Sequence, residues 1–149
     1  MLLIRIALIL LLLLHTSALA SPLEVAYVFR VIDGDSILVE IGGAKREVRY
    51  IGINAPEYGE PCGKEATTAN AELVSKQQVF LMRDVRDTDK YGRLLRYVYV
   101  KDRLINAALV ERGFAVARRY EPDTQHAKQF AALEAEARLA KRGCHALAH

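Results

Sequence analysis

Ile32-Asp33-Gly34-Asp35-Ser36-Ile37-Leu38-Val39-Glu40-Ile41-Gly42-Gly43-Ala44-Lys45-Arg46-Glu47-Val48-Arg49-Tyr50-Ile51 is the stretch that decides the fold. From Ser36 to Ile41, apolar Ile37, Val39 and Ile41 alternate with polar Ser36 and Glu40, the period of a half-buried strand. Asp33-Gly34-Asp35 before it and Gly42-Gly43 after it are turn chemistry. Upstream, Val25–Ile32 is β-branched and aromatic and reads as a first strand; downstream, Arg46–Ile53 reads as a third.

Asn54 to Gly63 holds two prolines and two glycines and is a loop. Lys64–Lys76 follows as a helix with Ala66, Ala69, Leu73 and Val74 on one face. Gln78–Val85 and Leu94–Val100 are a fourth and a fifth strand around the polar turn Asp87–Gly92. Leu104–Arg112 is a short helix that Gly113 ends, Ala115–Tyr120 is extended, and Pro122 marks a boundary. His126–Arg142 is the last helix, with Phe130, Leu133 and Ala137 inward and Glu134 paired to Arg138 four residues on. The order βββαββαα makes an α+β chain, mainly β. Five short antiparallel-type strands predict a five-stranded oligonucleotide-binding (OB) barrel with three helices.

In this chain of 149 residues, 52% are hydrophobic and 26% charged, the balance of one ordinary globular domain. The leucine run at the start reads as a signal peptide over residues 1–20. Arg5 is its positive end, Ile6–Leu14 its apolar core, and Ala18-Leu19-Ala20 the small-residue cleavage pattern. That run falls far short of the roughly 20 residues that span a bilayer. Cleavage would leave Ser21–His149 as the domain, secreted or periplasmic, without stable membrane association and expected to act as a monomer. It also removes Arg5, so the formal net charge of +3 falls by one. A chain this weakly basic binds a polyanion only if its charge is gathered in a site.

Cys62 and Cys144 lack the spacing of a metal site. Export permits a disulfide between them, with two thiols as the alternative. The histidines are poor candidates for chemistry: His15 leaves with the signal, His145 and His149 lie near the terminus, and His126 reads as a surface position heading a helix.

Arg49, by contrast, sits within the third strand among apolar neighbours, a costly place for a charge unless it is paired or used. Hydrolysis of a phosphodiester needs fixed cations for the extra charge on the phosphoryl oxygens, a group that activates water, and a hard divalent cation that polarises both. Asp35, Arg49, Glu57 and Arg93 are the residues in and beside the strands that suit those tasks.

Three ordered motifs then resemble the staphylococcal-nuclease family: Ile32-Asp33-Gly34-Asp35-Ser36, Arg49-Tyr50-Ile51-Gly52-Ile53-Asn54-Ala55-Pro56-Glu57, and Thr88-Asp89-Lys90-Tyr91-Gly92-Arg93. The separations of 14 from Asp35 to Arg49 and 8 from Arg49 to Glu57 also fit the family. Asn106-Ala107-Ala108-Leu109-Val110 and Gly113 extend the likeness, which covers nearly all of Val25–Arg142. The resemblance implies a calcium-dependent nuclease that cleaves DNA and RNA to 3′-phosphate products. Asp35 and Asn54, with the backbone carbonyl of Ala55, would hold Ca2+; Asp33 and Ser36 would stand behind them. Glu57 would be the general base or orient the water, Arg49 and Arg93 would clamp the scissile phosphate, and Lys90, Tyr91 and Tyr120 would touch the substrate nearby.

The chain departs from the family at Asn54, where Asp is usual, and at Ser36, where Thr is usual. Its loop after Glu57 is shorter, and Cys144 stands where Trp is common. Asn54 removes one negative charge from the metal site. The alternative reading is therefore a non-catalytic oligonucleotide-binding barrel with a decayed metal site.

Overall fold

A computed structural model describes residues 23–147. The expected signal peptide and His149 lie outside the described residues. Strands β1 (Glu24–Asp33), β2 (Ser36–Ile41) and β3 (Ala44–Tyr50) follow one another, and a short β4 (Ile53–Asn54) precedes helix α1 (Gly63–Val74). Then come β5 (Gln78–Met82), β6 (Leu94–Val100), β7 (Arg103–Leu104), α2 (Ile105–Glu111), β8 (Val116–Ala117), α3 (Ala127–Leu139) and a 3-10 turn over Gly143–Ala146.

The long strands run in the order β3-β2-β1-β5-β6, and β6 pairs back onto β3, closing a five-stranded barrel beside three helices. Ile37, Val39, Val48, Val79, Leu81 and Val98, the inward set of the alternating strands, are fully buried. β1 gives its first half to β5 and its second half to β2, and its register slips twice along the β2 pairing. Such bulges bend a strand and let it serve both sides of a small barrel.

Four expectations change. The strands were expected to pair in antiparallel fashion, yet the closing contact, Val48↔Leu94 to Tyr50↔Arg96, is parallel. The third strand was expected to run on to Ile53, but it ends at Tyr50. Gly52 there adopts φ 78°, and a Cβ on it would come within 2.8 Å of the Phe130 ring. This kink frees Ile53 and Asn54 to pair with Val116 and Ala117 in a separate two-stranded sheet. The fourth strand stops at Met82 rather than Val85. The Tyr97 hydroxyl donates to Asp84 at 2.9 Å, and the backbone N–H groups of Val85 and Arg86 donate to Asp123. His126, expected on the surface, is half-buried, edge-on to Tyr97 with ring centres 4.5 Å apart.

Fully buried Asn106 locks α2 to the barrel. It accepts the Val98 N–H (2.9 Å) and donates to the Ile51 carbonyl (2.9 Å). Asn70 does the same for α1, accepting from the Tyr50 hydroxyl and donating to the Asp33 carbonyl. Cys62 and Cys144 are joined, 82 residues apart in sequence, so the 3-10 turn is tied to the loop that precedes α1. Among the described residues no helix is long and apolar enough to cross a membrane.

Cutting the cross-link frees a loop whose closure is worth about 4 kcal/mol in the chain-entropy picture. A reductant is expected to lower Tm by about 10 °C. Melting with and without dithiothreitol, beside the Cys62→Ser/Cys144→Ser double variant, checks this; three equal Tm values would contradict it.

Candidate active site

The turn after β1 places Asp35 inside the protein, 5% exposed. Its backbone N–H donates to Asp33 Oδ1 at 3.0 Å, and the Ser36 hydroxyl donates to the same oxygen at 2.7 Å. The Asp35 carboxylate is thereby aimed at the chain beyond β3. Asp35 Oδ2 accepts the Ala55 N–H at 2.6 Å and faces Arg49 Nη2 at 3.1 Å. Burial pushes the Asp35 carboxyl up to about 7, with Asp33 adding to the rise; Arg49 and the Ala55 N–H oppose it without cancelling it.

Arg49 is held from four sides. Its Nη1 donates to the carbonyls of Tyr50 (2.7 Å) and Ile53 (3.0 Å), and its Nη2 donates to Asn54 Oδ1 (3.0 Å) besides facing Asp35. The kink at Gly52 makes this possible, because it curls the Ile53 carbonyl and the Asn54 side chain back towards the strand. Glu134 of α3 steadies the far side: its carboxylate accepts the Ala117 N–H at 2.8 Å, fixing the strand that pairs with Asn54.

Arg93 reaches the same place from the β5–β6 loop. Asp89 accepts its Nε at 2.7 Å and its backbone N–H at 3.0 Å, and Glu47 lies 3.8 Å from its Nη1. Burial would raise the Asp89 carboxyl, but these bonds and the Tyr91 N–H outweigh burial and hold it below the usual range. Arg49, Arg93 and Tyr120 line one cleft of about 210 Å³, together with Ile51, Leu95, Arg86 and Asp123. Lys90 and Tyr91 stand exposed on the loop that carries Arg93, the Lys90 ammonium 5.0 Å from the Tyr91 ring centre.

Glu57 is exposed on the loop two residues past Ala55. Its N–H donates to Glu60 Oε2 at 2.9 Å, and its carbonyl accepts the Glu60 N–H. Among the described residues its carboxylate has no hydrogen-bond or ion-pair partner. The loop is short and tight: a Cβ on Gly63 would collide with the Glu57 carbonyl.

Among the described residues no three His, Cys, Asp or Glu side chains gather as a metal cluster. The Asp35 carboxylate and the Asn54 amide oxygen both meet Arg49 Nη2, and the Ala55 carbonyl accepts from Asn54 Nδ2 at 3.4 Å; all three oxygens are hard donors, with one buried charge. That set fits a hard divalent cation, which would relieve the cost of ionising Asp35.

The description "Staphylococcal nuclease homologue" belongs to the family whose model matches residues 47–145, from the third strand to the 3-10 turn. The chain belongs to the staphylococcal nuclease family. It is similar to Endonuclease YncB of Bacillus subtilis (strain 168), 42% identical over 120 residues that make up 75% of this chain and 57% of that protein. It is also similar to Thermonuclease of Staphylococcus hyicus, 32% identical over 134 residues, or 85% of this chain and 79% of that protein. Thermonuclease of Staphylococcus intermedius is 37% identical over 103 residues, 65% of this chain and 61% of that protein. The chain thus spans little more than half the length of Endonuclease YncB.

Within this staphylococcal-nuclease barrel, Arg86 and Asp123 escaped the reading of the sequence. The run Arg83-Asp84-Val85-Arg86-Asp87 looks like a solvated loop of mixed charge, and the partner of Arg86 lies 37 residues away. Arg96, 3% exposed, was missed in the same way: Glu24 and Asp87 pair with it from distant segments.

The raised Asp35 carboxyl fixes a pH dependence for the metal-free protein. In the unfolded chain Asp titrates near about 3.9. Between there and about 7 the folded chain holds a proton that the unfolded chain has lost, so stability falls as pH rises through that window and levels off above it. Thermal melts in chelator from about pH 5 to about pH 8 should show this fall, and Asp35→Asn should flatten it. A wild-type Tm that climbs across the window, no less steeply than in Asp35→Asn, would contradict the burial of the charge.

Proposed function

We propose that this chain is an exported, calcium-dependent nuclease that hydrolyses phosphodiester bonds of DNA and RNA and leaves 3′-phosphate products. The observation that carries the reading is the convergence of Arg49 and Arg93 on one cleft, with Arg49 bound to the buried Asp35 carboxylate. Glu57 kept together with Arg49 and Arg93 at the family's spacing favours an enzyme over a binding barrel with a decayed metal site. The names of the relatives, endonuclease and thermonuclease, support the same class of reaction.

In this mechanism Arg49 and Arg93 receive the non-bridging oxygens of the scissile phosphate. Their planar forks suit phosphate, and their own carboxylate and carbonyl partners fix them before substrate arrives. Charge on those oxygens grows as the phosphorus becomes five-coordinate, so the two arginines act most strongly in the transition state. Glu57, whose carboxylate has no partner among the described residues, takes the proton of the attacking water. The new P–O bond forms in line as the P–O5′ bond breaks, the O5′ leaves and gains a proton from solvent, and the phosphate stays on the 3′ side. Asp35, Asn54 and the Ala55 carbonyl would hold calcium, which when bound supplies polarisation of phosphate and water. Tyr120 offers a ring for a base, and Lys90 and Tyr91 a contact for a flanking phosphate.

Release of acid-soluble nucleotides from DNA and from RNA, with calcium and then with chelator, tests the proposal. Arg49→Lys keeps the charge but loses the fork, and Glu57→Gln keeps size but loses the base. Each is expected to lower kcat by about 100-fold or more. Oligonucleotide binding by Glu57→Gln should stay within a few-fold of wild type. Unchanged turnover in either variant would overturn its assignment, and full activity in chelator would overturn the metal.

Asn54 removes a charge from the calcium set and already accepts from Arg49. Calcium binding should therefore be weak, in the range of about 0.1–1 mM known for extracellular sites. Asn54→Asp is expected to lower the calcium concentration at half-maximal activity and to strengthen the rise in Tm that calcium produces near pH 8. If neither quantity moves, Asn54 does not touch the ion.

A further inference from the structure

We propose that the Cys62–Cys144 bond positions Glu57 for catalysis, as the strut that holds the Glu57 loop in place beside the site. The inference rests on the nuclease reading, with Glu57 as its base. It adds how a carboxylate with no partner among the described residues keeps its place.

The loop supplies little of its own support. From Glu57 to Pro61 every residue is exposed. Its hydrogen bonds close on one another: Glu57 and Glu60 exchange two, the Gly63 N–H donates to the Glu60 carbonyl, and the Ala66 N–H donates to the Cys62 carbonyl. Among the described residues, no bond from residues 57–62 passes beyond Ala66 except the link to Cys144. Packing does not replace the missing bonds. A groove of about 370 Å³ has Pro56, Glu60 and Pro61 on its loop side and Phe114, Ala115 and Cys144 on the other. The loop stands off the body of the domain across that groove.

Cys144 is a fixed post. Its N–H donates to the Gly113 carbonyl at 3.0 Å, and Arg142 Nη1 donates to the Glu111 carbonyl at 3.0 Å. The two segments lie so close there that a Cβ on Gly113 or Gly143 would strike the backbone of the other. Three residues past Gly113, Val116 pairs with Asn54. At the other end of the bond, Cys62 heads α1, which starts without a side-chain cap. Gly63, the first residue of that helix, lies against the Glu57 carbonyl. The chain thus makes a closed circuit. It runs from Asn54 through Glu57 to Cys62, across the bond to Cys144, and back by Gly113 and Val116 to Asn54. Opening the circuit releases the uncapped first turn of α1 and the Glu57 backbone that rests on it. Asp35, Arg49 and Arg93 keep partners of their own.

The test compares oxidised wild type, wild type in dithiothreitol and Cys62→Ser/Cys144→Ser, each with and without Glu57→Gln, at saturating calcium and well below every Tm. Opening the bond is expected to lower kcat by about 10-fold, since a catalytic group loosened by a fraction of an ångström loses part of its advantage of position. The Kd for an oligonucleotide should stay within a few-fold. In the Glu57→Gln background the same opening should leave the residual kcat unchanged, because the group that the bond positions is gone. An unchanged kcat in the Glu57 protein would make the bond a matter of stability alone and overturn the proposal. An equal loss in the Glu57→Gln background, or a loss that falls on binding, would overturn it too, by tying the effect to the fold at large. Each of those results leaves the nuclease reading intact. If oxidised wild type releases no nucleotides at all, the nuclease reading itself fails and this inference falls with it.

Discussion

The buried carboxylate of Asp35 holds together three segments that the chain would otherwise leave apart. It lies in the turn after β1, receives the backbone N–H of Ala55 from the loop beyond the barrel, and faces Arg49 at the end of β3. Those bonds only partly offset the cost of removing the charge from water, which is why its carboxyl titrates near 7 rather than 4. The surrounding fold sustains that cost. Asn70 clamps the Asp33 carbonyl and the Tyr50 hydroxyl, Asn106 clamps Ile51, and the parallel contact between β3 and β6 sets Arg49 beside the strand that Arg93 leads into.

Stability and function pull against each other at this position. A well-packed apolar residue in place of Asp35 would suit the barrel better, but it would leave Arg49 without a fixed bearing and a cation without a carboxylate. The same balance governs Arg49, whose donors go to two carbonyls, an amide oxygen and a carboxylate. In the proposed mechanism a phosphate entering the cleft would compete with partners that already orient the guanidinium, leaving little reorganisation for the transition state. Glu57 is built to the opposite plan, on a loop tied down by a tight turn and by the Cys62–Cys144 bond, with its carboxylate left to water.

Much of this was legible in the sequence because the signals were local. The alternation in Ser36–Ile41 and the Gly42-Gly43 turn define β2 and β3; of the residues expected at the site, Asp35, Arg49 and Asn54 meet and Arg93 shares the cleft of Arg49, while among the described residues no contact ties Glu57 to them. What the sequence concealed depends on partners far along the chain. The pattern within a seven-residue strand cannot reveal that β3 closes the barrel in parallel with β6. Nor can it show that Gly52 must lack a side chain because Phe130, in the last helix, packs against it. Arg96 and Asp123 were hidden for the same reason: each is a buried charge whose place makes sense only once a partner far along the chain, Glu24 or Arg86, is known. The leader expected over residues 1–20 belongs to a different kind of signal, one of composition and cleavage pattern, on which the folded domain has no bearing.

The most direct measurement of the central claim is a crystal structure of the domain with calcium and a nucleoside 3′,5′-bisphosphate. One phosphate is expected to bond at about 3 Å to both Arg49 and Arg93. The ion is expected on the Asp35 carboxylate and the Ala55 carbonyl, with the hold of Asp35 on Arg49 loosened in favour of the ion. A phosphate bound away from both arginines, or an ion held elsewhere while Asp35 and Arg49 stay paired, would contradict that claim.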